Sequence, residues 1–395
     1  MLRISGVEVL HASAGARYWS YVAVRTDAGH TGWAEISDGG LSGIGLAGVV
    51  ERLGALLVGE DAAGWRRVEQ LLRSRVREAE EGLNRRATGA LVNACLDAAA
   101  RAEGASVAQL LGGALREEIP LYWSHCGLGR IRLAEAGLAE PLRTLDDVRA
   151  MGAQVAAAGY RALKTNLMLL DGDAVRLRLP AWGGPGWPAV ELDRELVAGV
   201  VDVVAALREG AGPGVDVFLD ANFNVKGDGI ERLARTLADA GVAWLEVDAD
   251  DVGALARARS VPGIRIASCE TLSGRRAYRR VLEAGAVDVP IVDVAWNGLL
   301  ESLRIADIAD DYDLNVAPHN YGSHLLTHMS AQYAAVAPNV AILEVDVDAV
   351  PWRDDLVTPP AVKDGTLTIS TAPGWGCEVD EDALRAHPMT NGGAR

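Results

Sequence analysis

The chain has little cysteine, no long apolar run and a deficit of basic charge. Its four cysteines, Cys95, Cys126, Cys269 and Cys377, are scattered without a CxxC spacing, so neither a zinc knuckle nor a disulfide framework is expected. No apolar run approaches the roughly 18 residues of a membrane span. The opening, MLRISGVEVLHASAG, lacks a basic region followed by an apolar core, so no secretory leader is expected and a reduced, cytoplasmic setting is. Lys and Arg number 38 against 54 Asp and Glu, a net charge of −16. That balance argues against nucleic acid or an anionic membrane as the main partner, but not against a small anionic substrate, because local charge in a site outweighs the global sum.

What is present reads as globular protein. Hydrophobic residues make up 49% and charged residues 23% of the 395, typical of a folded chain long enough for about two domains. "YVAVRTDAGHTGWAEI" (21–36) places two apolar runs around Asp-Ala-Gly, a hairpin signal. From about residue 45 to 112 the periodicity is helical, closed by Gly112 and Gly113. An α+β block over 1–118 follows.

Beyond it, eight short apolar runs alternate with helical stretches: LYWS (121–124), ALKTN (162–166), VFLDAN (217–222), AWLEVD (243–248), RIASCE (265–270), VPIVDV (289–294), LNVAPHN (314–320) and AILEVD (341–346). This pattern predicts a (β/α)8 barrel over 119–350, an α/β fold capped by the N-terminal block. The Pro- and Gly-rich tail, 351–395, is expected to pack back on that block. The segment 171–195, "DGDAVRLRLPAWGGPGWPAVELDRE", reads as a long loop without structure, a lid or a subunit contact. A homo-oligomer is expected.

Ionisable residues recur near the C-terminal ends of the runs: Lys164, Asp220, Glu246, Glu270, Asp293, His319 and Glu344. After the first gap of 56 residues they are spaced by 26, 24, 23, 26 and 25, one per βα unit. In a barrel these ends converge on one mouth, where active sites lie. Asp220, Glu246 and Glu270 on adjacent strands would repel one another unless a hard cation joins them, and an all-oxygen donor set favours Mg²⁺. Asp293 and His319, on neighbouring strands, suit a carboxylate-oriented general base. Lys164 and Asn166 lie two apart and share a face, where Lys164 would meet the same anion as the metal.

The motifs "YRALKTN", "FLDAN", "WLEVD", "SCET", "VDVAWNGLLES" and "NVAPHN", with "TDAGHTGWAE" and "LDAAARAEGASVAQLLGG" in the first block, resemble the mandelate racemase branch of the enolase superfamily over nearly the whole chain. The resemblance implies that Asp220, Glu246 and Glu270 bind one Mg²⁺, that Asp293 and His319 form the catalytic dyad, and that Glu344 hydrogen-bonds an enediolate intermediate. It also implies that Asn222 contacts substrate and that a lysine helps the metal stabilise the enediolate. Two departures matter. Glu246-Val247-Asp248 replaces the frequent Glu-Glu-Pro, and Asn166 stands where many members carry a second lysine base. An amide has no proton to exchange. Lys-x-Asn is similar to acid-sugar dehydratases of the D-galactonate dehydratase kind, although those carry a histidine where this chain has Asn222.

Further candidates are His125, which could enter the mouth after the first strand, and Tyr18 and Trp19, placed where the resemblance puts a capping loop over substrate. Arg176 and Arg178 could bind a distal carboxylate. His324 and His328, four apart on a helix, could bind metal but read better as ordinary helix histidines. The expected activity is dehydration of a sugar acid to a 2-keto-3-deoxy acid. The alternatives are isomerisation, cycloisomerisation or epimerisation through the same intermediate, a non-catalytic binding protein, or an unrelated metal-dependent hydrolase.

Overall fold

Residues 4–13 bury Ile4, Leu10 and Ala12, all an even number of positions apart, and leave the rest half-buried or exposed, as in a strand with one face on a core. A computed structural model describes residues 1–37, 42–178 and 192–389. Its first block is an antiparallel meander of β1 (Ile4–Ser13), β2 (Tyr18–Thr26) and β3 (Thr31–Glu35), covered by α1 (Ser42–Gly54), α2 (Trp65–Arg75), α3 (Gly82–Ala102) and α4 (Val107–Leu110). The Asp-Ala-Gly turn joins β2 to β3, with Gly29 at φ +82°. Alanine-rich α3 lies so close to β3 that a Cβ on Gly32 would fall 1.9 Å from the Ala94 carbonyl oxygen. Only glycine permits that approach.

The barrel strands are β4 (Glu118–Ser124), β5 (Ala162–Asn166), β8 (Asp216–Asp220), β9 (Trp244–Glu246), β10 (Arg265–Ser268), β11 (Val289–Asp293), β12 (Ala317–His319) and β13 (Leu343–Asp346). They pair in parallel in the order β13-β4-β5-β8-β9-β10-β11-β12. A parallel bridge between Val316 and Val340 links the last two strands and closes the ring. Each of the eight apolar runs is therefore a barrel strand among the described residues. The helices α5 (Leu128–Glu135), α6 (Leu145–Ala157), α7 (Arg194–Ala211), α8 (Gly227–Asp239), α9 (Val252–Arg259), α10 (Arg275–Glu283), α11 (Val294–Asn297), α12 (Leu299–Asp310) and α13 (His324–Val336) lie between and beyond them.

One expectation is corrected and another extended. The segment after β5 is not structureless throughout: β6 (Met168–Asp171) and β7 (Ala174–Leu177) form a hairpin, with Gly172 at φ +64° in the turn. Asp193 then caps α7 by accepting the Leu196 amide at 2.7 Å. The two turn residues are Gly172 and Asp173, and glycine in the first turn position is one that short strand pairs favour; a loop reading overlooked it. The expectation of a lid or subunit contact falls largely on 179–191, outside the described residues. The tail also does more than return to the first block. β14 (Ala361–Lys363) and β15 (Thr366–Thr368) extend the barrel sheet, β15 pairing antiparallel with the start of β4. Past α14 (Arg353–Leu356), Trp375 donates its indole N–H to the Trp33 carbonyl at 2.6 Å, and α15 (Glu381–Ala386) meets Arg25 through Glu381 at 2.9 Å. Those contacts, with the Trp375 amide on Asp97 and Arg385 on Glu8, join tail to cap.

Candidate active site

The barrel interior explains which side chains reach the mouth. Tyr122, Ala162, Phe218, Trp244, Ala267, Val289, Ile291 and Ala317 form a buried apolar cluster, with Phe218 stacked on Trp244 at 3.9 Å. Side chains two residues further along a strand share its face. The step from 122, 162, 218, 244, 291 and 317 gives Ser124, Lys164, Asp220, Glu246, Asp293 and His319, a polar layer on an apolar floor. β10 breaks the register. Its next inward position would be Cys269, but Cys269 has φ +93°, which redirects the chain so that Glu270 takes the place. A non-glycine residue in that conformation is strained, and such strain collects at functional sites.

Asp220, Glu246 and Glu270 bring one carboxylate oxygen each to within 4.8 Å of one another. Burial pushes the Asp220 carboxyl up to about 7 and Glu246 up to about 8, and raises Glu270. Glu246 Oε1 is buried without a hydrogen-bond partner. Three converging carboxylates, with one oxygen unsatisfied, suit a hard divalent cation. Asn222, at φ +49°, clamps Asp220 from behind: its amide N–H donates to Oδ1 at 2.7 Å and its side-chain NH₂ to Oδ2 at 3.0 Å.

Lys164, one of three lysines in the chain, is fully buried, 2.8 Å from Glu246 Oε2, 2.9 Å from Glu344 Oε1 and 3.8 Å from Asp220 Oδ2. Burial works against its ammonium, yet Glu246 and Glu344 together hold it well above its ordinary value. Glu344 is pinned on every side. Its Oε1 accepts from Ser124 Oγ and Lys164, and Oε2 from the Asn320 amide at 2.8 Å. Burial opposes its charge, but Lys164 and His319 keep it well below the usual carboxylate range. Asn166, next inward after Lys164, donates to the Asp220 carbonyl at 3.3 Å, and its Oδ1 is buried without a partner.

Facing this cluster, His319 Nδ1 lies 2.6 Å from Asp293 Oδ2, and Asp293 Oδ1 accepts the Trp296 amide at 2.7 Å. The carboxylate so held fixes the imidazole with Nε2 toward the mouth, 3.6 Å from Glu270 Oε1. Burial would lower His319, but Glu270 and the Asp293 hydrogen bond raise it to about 10. A cation on the three carboxylates would cancel the pull of Glu270 and bring it down.

The other candidates separate by position. His125, at φ +51°, lies tilted against the Tyr321 ring at 4.1 Å and meets Ser124 Oγ through Nδ1 at 3.1 Å; burial keeps it neutral. Trp19 is buried beside Arg17, whose guanidinium lies 3.2 Å over the Tyr321 ring and 2.8 Å from Asp346. Tyr18, the next residue on β2, faces the other way, edge-on to His11 at 5.6 Å. Arg176 is exposed and near its own hairpin's Asp171 and Asp173, at 3.7 Å each, while the exposed Arg178 donates its backbone amide to the Leu167 carbonyl. His324 and His328 are buried on α13, bound to Asp354 at 2.8 Å and the Thr358 carbonyl at 3.0 Å, which leaves both away from the carboxylate cluster.

Sequence reasoning missed Ser124, Asp248, Asn320 and Arg17. Ser124 follows Tyr122 by two and was legible from strand alternation. Asp248, which burial raises to about 7, was noted only as a departure, and the Arg17–Tyr321 contact joins residues 304 apart.

The matches to known proteins agree with this geometry. Residues 7–112 match the mandelate racemase/muconate lactonizing enzyme N-terminal domain, and residues 146–383 the enolase C-terminal domain-like family. The chain belongs to the mandelate racemase/muconate lactonizing enzyme family. Within it, the chain is 31% identical to a D-xylonate dehydratase of Haloferax volcanii, covering 93% of this chain and 85% of that one. It is 28% identical to a D-galactarolactone cycloisomerase of Agrobacterium fabrum, over 93% and 90%. A solved structure from Burkholderia xenovorans strain LB400, provisionally named an L-alanine-DL-glutamate epimerase and bound to magnesium and fumarate, superposes with a TM-score of 0.95 at 38% identity, over 99% and 97%. The fold of this chain is accordingly the capped (β/α)8 barrel of the enolase superfamily.

Proposed function

We propose that this protein is a Mg²⁺-dependent dehydratase of a sugar acid. The observation that carries the reading is the His319–Asp293 dyad at the mouth, together with an amide, Asn166, where many family members carry a second lysine base. Asp220, Glu246 and Glu270 would hold the cation. Bound there, Mg²⁺ would supply positive charge against the substrate carboxylate as negative charge develops on it.

His319 Nε2 takes the proton α to the carboxylate, with Asp293 steadying the imidazolium that forms. Charge moves onto the carboxylate as an enediolate, which the Lys164 ammonium stabilises from a fixed, dry position. Glu344 keeps Lys164 charged and oriented. The β-hydroxyl leaves with a proton, from the imidazolium or another acid of the mouth, so that one water is lost. The resulting enol tautomerises to a 2-keto-3-deoxy acid.

A second reading, cycloisomerisation or isomerisation through the same enediolate, is favoured by the similarity to the cycloisomerase. Two-base epimerisation fits less well, because the Asn166 amide cannot exchange a proton on the opposite face. A panel of sugar acids and lactones incubated with Mg²⁺ and semicarbazide separates the readings. Dehydration yields a trapped keto acid; an isomerised product without a semicarbazone overturns the proposal.

A further inference from the structure

His125 has no part in the steps above, yet it stands against the groups that carry them. Its backbone takes φ +51°, a left-handed turn that follows the end of β4 at Ser124 and is uncommon outside glycine. The ring lies tilted against Tyr321 at 4.1 Å, and Nδ1 is 3.1 Å from Ser124 Oγ. Ser124 is wholly buried and touches Glu344, the carboxylate that holds Lys164.

The order of protons along these contacts follows from what each group can donate. Glu344 Oε1 lies 2.9 Å from the Lys164 ammonium and Oε2 lies 2.8 Å from the Asn320 amide nitrogen. Neither neighbour can accept a hydrogen bond, so both carboxylate oxygens accept and Glu344 carries no proton. Ser124 has a single hydroxyl proton, and Glu344 Oε1 accepts it. Toward His125, Ser124 Oγ can then only accept, so the ring proton sits on Nδ1. Burial keeps the imidazole neutral, which leaves Nε2 with a lone pair and no proton.

Resting on the sugar-acid reading above for its kinetic consequence, we infer that His125 is a positioning residue for Lys164, held as the Nδ1–H tautomer at the head of a relay through Ser124 and Glu344. His125 donates to Ser124, Ser124 to Glu344, and Glu344 fixes the ammonium, each bond polarising the next. A neutral donor suits the head of the relay, because a second cation there would share the Glu344 charge with Lys164. The same assignment removes His125 from the acids that could protonate the departing β-hydroxyl: its one ring proton faces Ser124, and Nε2 can only accept.

The test has a spectroscopic arm and a kinetic one. In the Mg²⁺-loaded native enzyme with ¹⁵N-labelled histidine, the signal lost in His125→Asn belongs to His125, and long-range ¹H–¹⁵N couplings show which ring nitrogen carries the proton. Nδ1–H is expected at pH 7, and Ser124→Ala should release that preference. An Nε2–H tautomer or an imidazolium in the native enzyme overturns the inference. For kinetics, His125→Leu removes the donor, whereas the side-chain NH₂ of His125→Asn can replace Nδ1–H. Thermal melts establish that the variants are folded. His125→Leu should lower kcat by about 2- to 10-fold, the scale of one neutral hydrogen bond, and His125→Asn should recover most of it. Added to Ser124→Ala, His125→Leu should cost little more, since it acts through the serine. Equal rates for the Asn and Leu variants, or losses that add, overturn the positioning role. If no sugar acid is turned over, the dehydratase reading fails by itself, and the tautomer and its response to Ser124→Ala still decide the relay.

Discussion

Replacing Lys164 with methionine should destabilise the metal-free protein strongly and the Mg²⁺-loaded protein much less. Methionine keeps most of the side-chain volume but removes the ammonium from its contacts at 2.8, 2.9 and 3.8 Å with Glu246, Glu344 and Asp220. Removing one partner of a buried pair costs about 3–5 kcal/mol, because the remaining charge is left uncompensated. Here the orphaned groups can take up protons. Glu246, already at about 8 beside the lysine, rises further once that cation is gone and accepts a proton readily in acid. The loss should therefore be fullest at alkaline pH, where Glu246 is ionised in the variant, and shrink as the pH falls to about 8, below which this group is protonated in both proteins. Mg²⁺ restores a cation to the carboxylates and stabilises whichever form binds it, so the variant should gain more from Mg²⁺ than the native protein does. Turnover should stay at least about 100-fold down in either case, since charge stabilisation at the substrate carboxylate is gone. Urea denaturation in EDTA and in Mg²⁺, at two pH values, reads both effects. Equal stability of native and variant in EDTA, or no difference in their response to Mg²⁺, would refute the reasoning.

Glu246→Gln should weaken Mg²⁺ binding by at least about 10- to 100-fold, the loss typical of residues that only support a ligand, and should abolish nearly all activity; a chelated enzyme that remains fully active would contradict the assignment. Asn166→Lys restores a base to the face opposite His319, so exchange with solvent deuterium should appear at both enantiomers of a 2-hydroxy acid; rapid racemisation by the native enzyme would show that another group supplies that face. Burial lowers His324 to about 4 from an ordinary 6.5, so the unfolded chain binds its proton first. Its contribution is complete above about pH 6.5 and is lost as the pH falls toward 4, about 2 kcal/mol by pH 5. Denaturant midpoints of native and His324→Gln should converge with acid, and parallel profiles would remove His324 from the account.

Much of the site was legible because the barrel is periodic. One polar residue per βα unit, at intervals near 25, lies at the strand ends, and the strand period then sorts Lys164, Asp220, Glu246, Asp293 and His319 onto the inner face. Glu270 reached the same list by spacing alone, and its true route, through the left-handed backbone at Cys269, has no mark in a one-dimensional pattern. The contacts that escaped detection are long-range. Arg17 meets Tyr321 and Asp346, and Arg86 meets Trp296, only because the cap is seated on the barrel, and sequence spacing does not record that docking. Lys164 illustrates a different limit. Its burial implied an anionic neighbour, but only the fold shows that Glu344, from the opposite end of the barrel sequence, supplies one. The β6–β7 hairpin was missed because a two-residue Gly-Asp turn inside a Gly- and Pro-rich stretch reads as more loop.

The most direct test of the account is the exchange of the α proton with solvent deuterium in His319→Asn. Asparagine preserves a polar group near Asp293 but removes the proton acceptor, while Asp220, Glu246 and Glu270 remain to bind Mg²⁺. Measured by NMR on a sugar acid that the native enzyme turns over, exchange should fall by about 10²- to 10⁴-fold, the usual contribution of a general base, with Mg²⁺ affinity retained. Exchange at the native rate in that variant would contradict the account and move the base away from His319.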